Sequence, residues 1–206
     1  MDRARLPGLV KGQRHPDWQR LYETAGEESL PWYFRKMDPD IQRALLLVDK
    51  GRLLDVGCGL GNQSAHFHAL GFDVTGTDVS RAAVERARSL YPGPRFEVDD
   101  VTQTFLDDKF DIVVDRGCFH VIDPHFHARY VTSTEMWLKP GGLLLLKVFC
   151  AEDGIPDFGP QRFCAAQLRN LFESAFEIVS IERAFYQNST AKSQKALFAT
   201  MKRKSR

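Results

Sequence analysis

The sequence predicts an α/β domain with a doubly wound, mostly parallel sheet, and three observations carry that expectation. From residue 52 onward, short apolar and β-branched runs alternate with segments of helical spacing, the pattern of a parallel sheet covered on both faces. A turn with three glycines follows the first of those runs. The last two runs have no helix between them, so they must join antiparallel, because a parallel pair needs a long crossover.

Taken in order, 52–56 is an apolar run ending in glycines and reads as a buried strand. Residues 62–70 read as a helix closed by Gly71, and 72–77 as a second strand. Ser80 is placed to cap the next helix, whose apolar face is Ala83, Val84, Ala87 and Leu90. Pro92 and Pro94 stop it. Strands follow at 95–98 and 110–114, the latter rich in β-branched residues. A helix is expected over about 124–137, then a turn at Lys139, Pro140, Gly141 and Gly142, and a strand at 143–149. A loop at 150–162, a helix at 165–176 and strands at 177–182 and 196–202 complete the chain. The first fifty residues differ: they hold Trp18, Tyr22, Trp32, Tyr33 and Phe34 and four prolines but no clear strand. They are read as an N-terminal helical and aromatic cap, 1–50, on a domain of 51–206.

Composition narrows the function classes. With 28 Lys plus Arg against 27 Asp plus Glu in 206 residues, the net charge is +1. That balance lacks the electrostatic footprint of nucleic-acid or anionic-membrane binding. The basic end, Lys202 to Arg206, reads as a solvated terminus. The longest apolar run, Leu143 to Leu146, is far too short to span a bilayer, and 1–20 has no apolar signal core. A cytoplasmic protein is expected, as a monomer or weak dimer. Cys58, Cys118, Cys150 and Cys164 form no CxxC pair, so free, mostly buried thiols are expected rather than zinc or disulfides. The histidine pairs His66/His68 and His125/His127 are two apart, a poor helical spacing for a metal, and no metal is expected.

The informative segment is Asp55-Val56-Gly57-Cys58-Gly59-Leu60-Gly61-Asn62. Its glycines let the backbone turn sharply and approach a ligand at the C-terminal edge of the sheet. The pattern is DxGxGxG; a dinucleotide fingerprint needs its third glycine at Asn62. Asp55 would make a poor phosphate cradle but suits a cationic group such as an ammonium. Asp78 ends the second strand, where an acid accepts hydrogen bonds from both ribose hydroxyls. After the third strand, Asp100 is preferred over Asp99 as the acceptor for an adenine amino group, with Val101 flanking the ring.

Together, the segment 53–61, Asp78 and Asp100-Val101 resemble motifs I to III of class I S-adenosylmethionine methyltransferases. The stretch Phe110-Asp111-Ile112-Val113-Val114-Asp115-Arg116-Gly117-Cys118-Phe119-His120 is similar to the fourth motif of the thiopurine, thiol, halide and tellurite methyltransferase branch. Leu30-Pro31-Trp32 resembles that branch's Pro-Trp element, in which the aromatic ring helps cover the cofactor. Tyr33 stands where the branch commonly has an acidic residue. The resemblance covers about residues 50–202 and implies a Rossmann-like, seven-stranded sheet with its last strand antiparallel. It implies S-adenosylmethionine as cofactor, with Trp32, Asp55, Gly57, Cys58, Gly59, Gly61, Asp78, Val79, Asp100, Val101 and Asp115 around it.

Methyl transfer is an in-line displacement, so the protein's task is placement and electrostatics. An anionic nucleophile meeting a cationic donor loses charge, which a dry apolar pocket favours. Trp18, Tyr22, Tyr33, Phe149 and Phe158 are the expected lid and acceptor walls, with simple cap packing as the alternative. Asp115, Arg116 and His120 are the candidate catalytic residues. Arg116 is read chiefly as an ion-pair partner of Asp115 or Asp55, and alternatively as a clamp for an anionic acceptor. His120 is a general base if the acceptor is protonated, and otherwise a structural histidine. The favoured activity is methylation of a small molecule, a thiol or another soft nucleophile. Oxygen or nitrogen acceptors, a macromolecular acceptor, a module that binds the cofactor without turnover, and a nicotinamide oxidoreductase remain as alternatives.

Overall fold

The computed structural model describes residues 15–153, 159–187 and 194–205. The cap contributes α1 (Trp18–Thr24) and α2 (Pro39–Leu45). The sheet and its layers follow as β1 (Arg52–Val56), α3 (Asn62–Ala69), β2 (Asp73–Asp78), α4 (Arg81–Leu90), β3 (Arg95–Val98) and β4 (Phe110–Arg116). They continue with α5 (His127–Trp137), β5 (Leu138–Phe149), α6 (Ala165–Phe172), β6 (Phe176–Tyr186) and β7 (Gln194–Arg203). The seven strands run in the order β3-β2-β1-β4-β5-β7-β6. Every pair from β3 to β5 is parallel, and β7 is antiparallel to both neighbours. Strand order reverses between β1 and β4, where Val56 lies opposite Asp115, so the loops after these two strands flank the switch-point crevice.

Alternation along the strands builds a core on each face. Leu54, Val113, Leu144 and Leu146 pack with Tyr130, Trp137 and Phe172 beneath α5 and α6. Leu53, Ile112, Val114 and Leu145 pack on the other side with Phe67, Phe72 and the α2 residues Ile41 and Leu45. The cap is thus anchored: α2 belongs to a sheet core. α1 sits on α4 through Leu21, Tyr22, Leu30 and Ala83. Ser80 caps α4 as expected, accepting the Ala83 N–H at 3.2 Å.

The structure corrects some boundaries. Lys139 to Gly142 do not form a free turn; they are the extra residues of a bulge in β5, whose partners jump from Phe110↔Leu138 to Ile112↔Leu143. The basic end is not simply solvated either. Lys202 and Arg203 lie in β7, and the Arg203 guanidinium donates to the Leu138 carbonyl. Cys58 and Cys150 are buried, but Cys164 is exposed.

Gly61 caps α3 at φ 79°, and a Cβ there would lie 2.6 Å from Phe96 Cζ and 3.0 Å from Ala87 Cβ. Left-handed strain and overpacking add, so Gly61→Ala is expected to destabilise the fold by roughly 2–4 kcal/mol. Urea denaturation checks this; an unchanged midpoint would contradict the packing described.

Candidate active site

The glycine turn after β1 is held to β2. Cys58 N donates to the Thr77 carbonyl at 2.9 Å, and Gly59 N donates to Asp78 Oδ2 at 2.9 Å. The other Asp78 oxygen accepts Ser80 N at 2.9 Å. Asp78 therefore sets the loop while lying at its mouth, 7% exposed. Burial pushes its carboxyl up to about 6 despite those two donors. Asp55 is buried on β1 and accepts the Ser64 hydroxyl at 2.5 Å; burial pushes it up to about 7. Neither acid has a cation within hydrogen-bond reach among the described residues.

The glycines leave no room for side chains. A Cβ on Gly57 would lie 2.7 Å from Cys118 Cβ, and one on Gly59 would lie 2.8 Å from Tyr22 Oη. The cap's aromatic group therefore touches the loop directly. Tyr22, Trp18 and Trp32 pack edge to face or stacked, with centroids 5.5–6.5 Å apart. Tyr33 belongs to the same cap cluster, but its hydroxyl donates to Glu27.

After β3, Asp100 is exposed and its Oδ1 accepts the Thr102 N–H and hydroxyl, both at 2.8 Å. Asp99 Oδ2 is the buried oxygen left without a partner among the described residues. The geometry thus favours Asp99 over the sequence choice, Asp100, as the free acceptor. Val101 is buried in the core, and Val79 is 52% exposed beside Asp78.

The loop after β4 is organised by Asp115, 0% exposed. Its carboxylate accepts Gly117 N at 2.8 Å, Cys118 N at 2.7 Å, Phe119 N at 2.8 Å and the Tyr130 hydroxyl at 2.7 Å. Burial still holds it up at about 6. Three of its four accepted hydrogen bonds come from the loop that presents His120, and the fourth from α5. The His120 imidazole stacks on Phe149 with centroids 4.4 Å apart and meets Tyr186 edge-on at 5.8 Å. Its Nδ1 is buried and lacks a hydrogen-bond partner among the described residues. Burial, then the charges of Arg162 and Arg116, pull its pKa down to about 3, so the ring is neutral.

Arg116 pairs with neither Asp115 nor Asp55. Its Nε donates to Asp38 Oδ2 at 2.9 Å, because the side chain leaves the end of β4 toward the cap while the Asp115 carboxylate turns into its own loop. Asp38 and Lys147 carry no motif, and sequence reasoning missed them. The signals were there: Asp38 precedes a helix-starting proline, and Lys147 is the one charge in the apolar stretch 143–149 of β5. Phe158 lies outside the described residues.

An adenosyl, amino-acid-bearing sulfonium fits this site on its own terms. Two buried carboxylates without a cationic partner, one orphaned carboxylate oxygen and a Cβ-free cradle follow one another along the C-terminal ends of β1, β2 and β3. Among the described residues no His/Cys/Asp/Glu group could hold a metal, and no helix is long and apolar enough to cross a membrane.

Comparison with known proteins agrees. A family model described as a methyltransferase domain matches residues 30–195. Phosphoethanolamine N-methyltransferase 1 of Arabidopsis thaliana is 31% identical over 146 residues, 67% of this chain and 27% of its own length. Probable thiol methyltransferase 2 of the same plant is 29% identical over 140 residues, 64% of this chain and 61% of its own. This chain spans about a quarter of the length of the phosphoethanolamine enzymes it matches. A structure reported under "Conversion of a Disulfide Bond into a Thioacetal Group during Echinomycin Biosynthesis" superposes with a TM-score of 0.78, 25% identity and 91% coverage of both chains. The N-methyltransferase NodS of Bradyrhizobium japonicum WM9, in complex with S-adenosyl-l-homocysteine, gives a TM-score of 0.71 at 17% identity, covering 92% of this chain and all of its own.

Proposed function

The chain belongs to the methyltransferase-domain family as a class I S-adenosylmethionine-dependent methyltransferase, and on that premise we propose that it methylates a small-molecule thiol. The observation that carries this reading is the acceptor wall: a buried, neutral imidazole stacked on Phe149 and set edge-on to Tyr186, with weak basicity. When bound, the cofactor supplies an electrophilic methyl group on a cationic sulfur.

The chain's own residues hold and shield it. Asp78 receives the ribose hydroxyls, and Asp55, with Ser64 fixing one oxygen, faces the ammonium. Asp99 Oδ2 is the acceptor for the adenine amino group. Gly57 and Gly59 let backbone approach the ligand, and Tyr22 and Trp32 close over it. Asp115 keeps the next loop in shape, and His120, Phe149 and Tyr186 exclude water on the acceptor side. A base with a pKa near 3 removes few protons from an amine or phenol, whereas a thiol arrives partly ionised. His120 Nδ1 then orients the acceptor by a hydrogen bond. The thiol methyltransferase relative supports this reading. Amine methylation is the second reading, and the phosphoethanolamine N-methyltransferase relatives favour it.

The experiment compares thiols, phosphoethanolamine and hydroquinones at saturating cofactor across pH. With thiols, the logarithm of the rate should rise with pH up to the acceptor's own pKa, about 8.5 for a simple thiol. No inflection should belong to His120, which is already neutral well below that range. His120→Asn should cost less than about tenfold in kcat, against the 10²–10⁴-fold a general base supplies, to order of magnitude. Turnover of the amine alone, or a larger His120 effect, would overturn the thiol reading.

A further inference from the structure

A charged cluster joins the cap to the sheet on the acceptor side of the crevice. Asp38, 0% exposed, receives Lys147 Nζ on both oxygens at 2.8 Å and Arg116 Nε on one at 2.9 Å. The buried Lys147 ammonium also donates to Asp40 Oδ2 at 2.7 Å. Burial alone would push the Asp38 carboxyl up, but the two cations hold it below its ordinary value. The remaining Arg116 nitrogens donate to the Trp32 carbonyl at 3.1 Å and the Gln187 carbonyl at 2.9 Å. Its guanidinium lies over the Phe34 and Tyr186 rings, 5.9 and 5.4 Å from their centroids. The Tyr186 hydroxyl donates to the Lys147 carbonyl.

Ion pairs this dry are seldom the most stabilising way to fill a core, and their best-attested use is to fix one arrangement over others. Here the arrangement is specific. One guanidinium clasps the backbone of Trp32, the α2 N-cap Asp38 and Gln187, just past β6, at once. It does so from the residue next to Asp115, at the end of the strand that carries the acceptor loop. On the other side, Gln63 of α3 donates to the Phe34 and Lys36 carbonyls and accepts Asp38 N, so the segment between Trp32 and Asp38 is tied at both margins.

We propose that Asp38 and Lys147, acting through Arg116, are positioning residues that hold Trp32 over the cofactor, and so set cofactor affinity rather than the rate of transfer. The inference rests on the reading that Trp32 covers bound cofactor. Lys147 fixes Asp38, Asp38 orients the guanidinium, and the guanidinium places the Trp32 backbone. Lysine at 116 keeps the charge beside Asp38 but cannot reach the Trp32 and Gln187 carbonyls with a rigid fork.

The test uses the full chain and S-adenosylhomocysteine as probe. Calorimetric Kd, KM for S-adenosylmethionine and kcat are measured for Asp38→Asn, Arg116→Lys and Trp32→Ala. Asp38→Asn/Lys147→Met removes one charge of each sign and replaces the first variant if that one fails to fold. The expected result is a Kd and KM raised about tenfold in the cluster variants, with kcat at saturation within about threefold of the parent, and a similar rise for Trp32→Ala. Parent-like Kd in the folded cluster variants, with Trp32→Ala weakened, overturns the clasp alone. Parent-like Kd in Trp32→Ala overturns the reading of Trp32 and the clasp with it. A loss confined to kcat also overturns it.

Discussion

Asp78→Ala is expected to weaken S-adenosylhomocysteine binding by about 100-fold or more. Two hydrogen bonds from ribose hydroxyls to a charged acceptor, each about 1.5–3 kcal/mol in a dry site, account for that loss. The same substitution frees Gly59 N and Ser80 N, so the glycine turn loosens as well. Asp78→Asn separates the two effects: its amide oxygen can still accept one backbone N–H, so more of the turn survives while one ribose acceptor is lost. Binding should also depend on pH. Asp55 and Asp78 have carboxyls held at about 7 and about 6 in the free fold, against an ordinary value near 3.9. Protonation therefore contributes stability to the free fold that is full below pH about 4 and lost as pH rises through about 6 to 7. A cationic ligand needs the ionised forms, so affinity should fall on acidification from pH 8 to about 5.5, and binding near pH 6.5 should release protons. Calorimetry in buffers of different ionisation enthalpy measures that release; its absence would mean the two acids do not face the ligand.

Asp115→Ala is expected to have the largest effect on stability, destabilising by about 4 kcal/mol or more. It strands Phe119 N and the Tyr130 hydroxyl as buried orphans and leaves Gly117 N and Cys118 N half-buried without an acceptor, and each buried orphan costs about 1–3 kcal/mol. Asp115→Asn should retain part of this, since its oxygen still accepts while its amide must face donors. Thermal unfolding distinguishes the two. A soluble, parent-like Asp115→Ala that lost only kcat would show that the carboxylate serves chemistry directly, as the sequence had allowed, rather than the shape of the loop.

Much of the architecture was legible because it rests on local signals. Apolar runs, the Ser80 cap and the three glycines each fix a local backbone choice, and the missing helix before β7 forces the antiparallel ending. The placement of Asp55 on β1 and of Asp78 at the end of β2, beside the glycine turn, was legible because that spacing is a property of one βαβ unit. The clasp was not legible, since Asp38, Arg116 and Lys147 come from three distant segments and meet only when the cap folds back on the sheet. The choice between Asp99 and Asp100 was not legible for a subtler reason. Adjacent acids differ only in which way the turn points them, and Thr102 captures Asp100. The β5 bulge hid behind a Pro-Gly-Gly sequence that reads as a turn when the pairing strand is unknown.

The most direct test of the central claim is a calorimetric titration of the purified chain with S-adenosylhomocysteine, with NAD as the control. Micromolar binding of S-adenosylhomocysteine and none of NAD is expected. Binding of NAD without S-adenosylhomocysteine would contradict it.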